Sequence, residues 1–162
     1  MTYERGTLQE GEGAVPQEEE VVLTVNGQDL VALMCTPALL EELALGFLYN
    51  EGLIDGIGDV TSIRLCGTGR MVDIWLRRKV EIPFLRTLTS GCAGGTSFEA
   101  IHQRRESLQS ELTIAPEEVF ALVRDLQKAA VLYHRARGIH AAALARRGEL
   151  LFVAEDVGRH NT

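Results

Sequence analysis

The stretch Val21-Val22-Leu23-Thr24-Val25-Asn26-Gly27-Gln28-Asp29-Leu30-Val31-Ala32-Leu33-Met34 sets the fold class. Its first five residues are β-branched or apolar and predict a strand. Asn-Gly is the pair that best tolerates two successive positive-φ residues in a tight hairpin. Leu30 to Met34 supplies the return strand. A helix start follows at Thr36-Pro37, a hydroxyl N-cap with proline in the first helical position. Leu39, Leu40, Leu43, Ala44, Phe47 and Leu48 recur at helical spacing, and Gly52 is a left-handed C-cap candidate. A hairpin with a helix beside it in sequence predicts a mixed α/β (α+β) domain.

Outward from that unit, residues 1–18 are acidic, glycine-rich and aperiodic, and read as a flexible lead-in. Ser62 to Leu65 and Met71 to Leu76 read as further strands. Leu88 to Phe98 is small, polar and glycine-rich, with a helix expected from about Ser97. The first domain is thus expected over 19–112. From 113 onward a second unit opens with a long helix at Pro116, with Glu117 and Glu118 suiting the helix dipole. Val119, Leu122, Val123, Leu126, Ala130 and Tyr133 are its expected buried face, and Gly138 its end. His140 to Ala145 and Glu149 to Ala154 form a second hairpin about Arg147-Gly148.

The 162 residues carry a formal net charge of −7, and no basic face for nucleic acid is expected. Arg77-Arg78-Lys79, Arg104-Arg105, Arg135-Arg137 and Arg146-Arg147 are local clusters, best read as solvated surface. No apolar run approaches the roughly 20 residues that span a bilayer. Met1 to Arg5 lacks a secretory layout. The reading is a cytoplasmic protein without membrane attachment.

Three cysteines, Cys35, Cys66 and Cys92, without Cys-x-x-Cys spacing, argue against a disulfide framework or a structural zinc site. Cys35 and Cys66 end strand-like runs and read as core. Cys92 differs. It lies in Ser90-Gly91-Cys92-Ala93-Gly94-Gly95, where Gly91, Gly94 and Gly95 admit close approach of a partner or ligand. A helix start just beyond would lower the thiol pKa, and the thiolate is the nucleophile. Cys92 is the candidate reactive cysteine.

A second constellation is Glu155-Asp156-Val157-Gly158-Arg159-His160-Asn161, at the end of a strand. A strand end leading into a helix start offers free N–H groups to an anion. Arg159 suits bidentate phosphate binding and His160 proton transfer, with His140 nearby on the neighbouring strand. Capping and ion pairing, with Asp156 as an N-cap and Arg159 paired to Glu155, explains the same residues equally well. His102 and His134 receive no role.

On these residues the chain resembles the formate dehydrogenase accessory sulfurtransferase (FdhD) family, from about Glu19 to Thr162. The resemblance is carried by Val25-Asn26-Gly27, Met34 to Pro37, Glu42 to Ile54, the Cys92 loop, Gly138 to Ala142 and, most specifically, Glu155 to Asn161. It implies a small α/β domain followed by a cytidine-deaminase-like domain, here truncated, over 113–162. It implies a sulfurtransferase that accepts sulfur from a cysteine desulfurase as a Cys92 persulfide. The sulfur then passes to the molybdenum (or tungsten) bis-guanine-dinucleotide cofactor of formate dehydrogenase. Catalysis would rest on Cys92; Gly91, Gly94, Gly95, His140, Asp156, Gly158, Arg159, His160 and Asn161 would meet the pterin cofactor. No permanently bound metal is expected, and a homodimer is.

The chain departs from the family pattern in three ways. Gly95 stands where the family often has a second loop cysteine, so Cys92 has no resolving partner there. Arg137 replaces a glycine before His140. The family also continues past the Arg-His-Asn run. Two other functions fit less well. A zinc nucleoside deaminase needs a His-x-Glu and Cys-x-x-Cys set that these residues lack. A cofactor-binding chaperone without sulfur chemistry would not need Cys92.

Overall fold

Asn26-Gly27 turns the chain as its residue types demand, with φ of 50° and 79°. β3 (Glu19–Val25) and β4 (Gln28–Cys35) pair antiparallel across it, with Val25 opposite Gln28. In a computed structural model of the chain, residues 2–4, 6–9, 13–67, 69–80, 86–88 and 109–162 are described. Around the hairpin, β6 (Met71–Leu76) joins β3 in parallel, and β7 (Arg86–Leu88) joins β4 in parallel. β5 (Val60–Leu65) closes one edge antiparallel to β6, giving the order β5-β6-β3-β4-β7. The Asn26 side chain ties the turn to this sheet, accepting from Leu76 N–H (2.8 Å) and donating to the Arg78 carbonyl (3.1 Å).

One helix, α1 (Leu40–Asn50), covers the sheet. Leu40, Ala44 and Leu48, four residues apart, project from one side of it. They join Val21, Leu23, Val25, Leu30, Val31, Leu33, Val72 and Ile74 in one buried cluster. Each fully buried Leu, Ile or Val here contributes about 1.5–3 kcal/mol. Gly52 closes the helix at φ 72°, its N–H reaching the Tyr49 carbonyl, as its position predicts.

The second unit contains α2 (Pro116–Ala129), α3 (Val131–Ala136) and the hairpin β8 (His140–Arg146) and β9 (Glu149–Asp156). Arg147 and Gly148 make the turn at φ 53° and 80°. The unit meets the first where the end of β9 touches the end of β4. Pro16, in the segment before β3, also crosses Gly138 of this unit, whose added Cβ would sit 2.8 Å from Pro16 Cγ. No helix among the described residues is long and apolar enough to cross a membrane.

Several elements differ from the sequence reading. Residues expected to be an aperiodic lead-in include a short antiparallel hairpin, β1 (Thr2–Glu4) with β2 (Thr7–Gln9). Helix α1 begins at Leu40 rather than at Pro37, and Leu39 precedes it at φ 51°. The long helix from Pro116 breaks at Ala130 because a carboxylate from β9 caps a second helix there. Arg137, at φ 64°, ends that second helix in place of Gly138. The predicted buried face of α2 is only half-covered, with Val119 and Val123 exposed. Cys66 sits half-exposed in the turn after β5, outside the core.

Candidate functional site

The candidate residues Gly91, Cys92, Gly94 and Gly95 lie outside the described residues, as do His102 and the helix expected from about Ser97. The structure does describe the run Glu155 to Asn161, and it divides that run into inward and outward side chains.

Glu155 and Asp156 end β9 and both turn inward. Glu155 caps α3: its carboxylate oxygens accept from Leu132 N–H (3.0 Å) and Tyr133 N–H (2.8 Å). These are first-turn donors that the helix cannot satisfy itself. Asp156, 4% exposed, accepts from three donors. Its Oδ2 takes the Thr36 N–H (2.9 Å), and its Oδ1 takes the Gly158 N–H (2.7 Å) and the Asn161 amide (2.9 Å). Burial pushes the Asp156 carboxyl above its ordinary value, while the bonds from Gly158, Asn161 and Thr36 pull it back. A nearby Glu18 adds to the upward push.

The contact with β4 is reciprocal. Val157 N–H donates to Thr36 Oγ1 (3.0 Å), and the Asn161 amide also donates to the Met34 carbonyl (3.0 Å). Glycine at 158 leaves room for these bonds, since a Cβ would stand 2.8 Å from Asn161 Nδ2 and 3.3 Å from Asp156 Oδ1 and would displace the Asn161 amide. Asn161 N–H and Thr162 Oγ1 both donate to the Gly158 carbonyl, making one tight turn rather than a helix among the described residues.

Between these anchors Arg159 and His160 stand exposed. His140, first residue of β8 and register partner of Asp156, is exposed as well. The structure therefore brings His140, Asp156, Gly158, Arg159, His160 and Asn161 to one end of the second hairpin. Of these, Arg159, His160 and His140 face solvent, while Asp156 and Asn161 bond inward. Glu155 binds a helix end rather than Arg159. The arrangement withdraws both acids and presents one fixed cation and two imidazoles, a surface suited to an anion.

Cys35, between Met34 and Thr36, is fully buried beside this cluster. Burial pushes its thiol up to about 12, with further push from the charges of Asp156, Glu18 and Glu19. That environment makes Cys35 inert at neutral pH. Arg137, upstream of His140, holds its guanidinium 5.5 Å over the Tyr133 ring.

Sequence reasoning missed Thr36, Met34 and the true partner of Glu155. Thr36 reads as a helix cap because the signal for a cap is local, whereas its partner lies 121 residues away. The signal within reach was that Met34 to Pro37 and Glu155 to Asn161 are both among the family-like runs.

The FdhD/NarQ family model matches residues 16–162. A sulfur carrier protein FdhD from Listeria innocua is 32% identical over 98% of this chain and 64% of its own length. One from Saccharolobus solfataricus is 35% identical over 83% of this chain and 52% of its own. The chain thus spans less than two thirds of the length of these relatives. The crystal structure of a chain assigned as a formate dehydrogenase accessory protein, from Desulfotalea psychrophila, superposes with a TM-score of 0.72 at 21% identity. It covers 99% of this chain and 60% of that one, and it supports the mixed α/β fold. With a family model matched from Pro16 to the end of the turn that carries Arg159 and His160, the chain belongs to the FdhD/NarQ family.

Proposed function

We propose that the protein is a sulfur carrier for formate dehydrogenase, with Cys92 as the carrying residue. The observation behind this is the pairing, within one family match, of the glycine-flanked Cys92 with the outward Arg159-His160 turn. Relatives named sulfur carriers support it. Cys35 is buried with a raised thiol pKa, so it does not compete for the role. In the first step the Cys92 thiolate attacks the terminal sulfur of a cysteine desulfurase persulfide. A new S–S bond forms, and the desulfurase thiolate leaves. In the second, the acceptor donates an electron pair to the terminal sulfur, the S–S pair returns to Cys92 as its thiolate, and the persulfide proton goes to solvent. With Gly95 in the loop, release goes to the external acceptor rather than to a neighbouring thiol.

The acceptor in this reading is the molybdenum (or tungsten) bis-guanine-dinucleotide cofactor, handled as cargo. Its phosphates suit the Arg159, His160 and His140 side chains, and the two withdrawn carboxylates spare it repulsion. Gly91, Gly94 and Gly95, having no side chains, would add no bulk beside the sulfur. The transfer belongs in a reducing cytoplasm, where a persulfide carrier keeps its thiol.

The test is Cys92→Ala. Cells relying on this protein should lose formate dehydrogenase activity with the variant, while its folding is retained. After incubation with a cysteine desulfurase and cysteine, the intact protein should gain about 32 Da at Cys92, one sulfur atom. Full activity with Cys92→Ala, or no added sulfur on that residue, overturns the proposal.

A further inference from the structure

Thr36 is the residue whose local and distant roles disagree. As hydroxyl before proline it is built to cap a helix. The helix does not use it. Instead α1 starts three residues later, behind Leu39 at φ 51°, a left-handed conformation that a leucine adopts at a cost. Local sequence does not require that cost. A strained junction of this kind points to a constraint from elsewhere.

The constraint is the Arg159-His160 turn. Thr36, 7% exposed, accepts from Val157 N–H and donates its own N–H to Asp156, on the chain just before Arg159. Met34, two residues upstream, accepts from the Asn161 amide, on the chain just after His160. The two outward side chains are therefore carried on a turn fastened at both ends to the end of β4. Asp156 joins the two fastenings, since its Oδ1 also binds the Asn161 amide. A turn held on both sides has little freedom, so the direction in which Arg159 and His160 project is set by the first unit.

We propose that Thr36 is a positioning residue for the Arg159-His160 turn, working through its bonds to Val157 and Asp156. This rests on the reading above that the turn meets the phosphates of the acceptor. Losing the hydroxyl removes one of the two bonds from Thr36 to that flank of the turn, without touching the anion itself. Thr36→Val keeps the shape and the N–H bond to Asp156 but removes the acceptor for Val157. Thr36→Ser keeps that acceptor.

The experiment is a nuclear magnetic resonance titration of the full chain with inorganic pyrophosphate, following the Arg159 and His160 amides. It is run on the unaltered protein, Thr36→Val, Thr36→Ser and Arg159→Ala, with thermal melts alongside. The unaltered protein should bind, and Arg159→Ala should weaken binding at least about tenfold. Thr36→Val should weaken it about fivefold, the loss typical of one hydrogen bond, at a melting midpoint close to that of Thr36→Ser. Thr36→Ser should restore binding. Thr36→Val binding like the unaltered protein, while Arg159→Ala does not bind, overturns the positioning role and leaves the acceptor reading intact. Absence of binding, or Arg159→Ala binding normally, sinks the acceptor reading instead. The positioning role is then decided by the anion-free spectra. Displaced Arg159 and His160 amide resonances in Thr36→Val, restored in Thr36→Ser, sustain it; unchanged resonances overturn it.

Discussion

Two hairpins in this protein share a turn geometry and end in opposite environments. β3–β4 turns at Asn26-Gly27 and β8–β9 at Arg147-Gly148, each through two successive positive-φ residues. Both carry a register shift inside the ladder. Yet Leu23, Val25 and Leu30 of the first are fully buried, while Leu144 of the second is 64% exposed and Phe152 also lies open. The difference lies in neighbours rather than in strands. β3 and β4 are each flanked by a further strand, and α1 covers them. Among the described residues, β8 and β9 have only each other as strand partners, with α2 against them. A hairpin thus forms from its turn and ladder, but its burial is decided by what packs on it.

The largest effect that can break this comparison is truncation of one apolar side chain in each hairpin region. Ile74→Ala, in the strand beside β3 and fully buried, should destabilise the chain by about 3–4 kcal/mol through lost burial and the cavity left behind. Leu144→Ala, already mostly solvated, should cost within about 0.5 kcal/mol. Urea unfolding of the two variants checks this. Comparable losses would mean that the second hairpin is as buried as the first.

The first hairpin was legible because its evidence is local. Asn26-Gly27 states a turn, Val21 to Val25 states a strand, and Gly52 states a helix end. The Arg147-Gly148 hairpin was legible for the same reason. The long helix from Pro116 was misread because its break at Ala130 is imposed by Glu155, 22 and 23 residues from the N–H groups it caps. Thr36 was misread likewise, since no nearby residue shows that Asp156 and Val157 will claim it. For the candidate site, the sequence located the Glu155 to Asn161 run but not its division. Asp156 and Asn161 carry the same polar signal as Arg159 and His160. Only the fold distinguishes side chains that fasten the turn from those that it presents.

A middle-sized effect sharpens the comparison at the junction between the two regions. Cys35 ends β4 within the deep core, and its thiol is pushed up to about 12 by burial first and by Asp156 next. In the unfolded chain the thiol ionises near the ordinary cysteine value, so folding holds a proton that unfolding releases. The neutral thiol's contribution is fully present below that ordinary value and is lost as pH rises towards 12. The slope is at most about 1.4 kcal/mol per pH unit. Cys35→Ala removes this term. The stability gap between the unaltered protein and Cys35→Ala, measured by urea unfolding, should therefore shrink by about 1.4 kcal/mol for each unit above the unfolded value. A gap independent of pH from 8 to 11 would show that Cys35 is not buried as a neutral thiol.

The smallest effect compares the turns themselves. Asn26 fits its positive φ because its short polar side chain tolerates that conformation, and here it also bonds Leu76 and Arg78. Arg147, at φ 53°, offers no such local compensation for a long side chain with a Cβ. Replacing it with asparagine keeps the turn and lowers its strain, so Arg147→Asn should stabilise the chain by about 0.5 kcal/mol. The gain should appear as a higher urea midpoint with an unchanged slope. It is a test of the second hairpin alone. If β8–β9 is a formed ladder whose turn carries ordinary strain, relieving that strain must register in global stability. No change, or a loss, would mean either that the turn is not strained or that the hairpin opens before the sheet of the first unit does. Amide exchange at Leu144 and Val153 separates these two outcomes, because early opening leaves both amides unprotected while β3 and β4 remain closed.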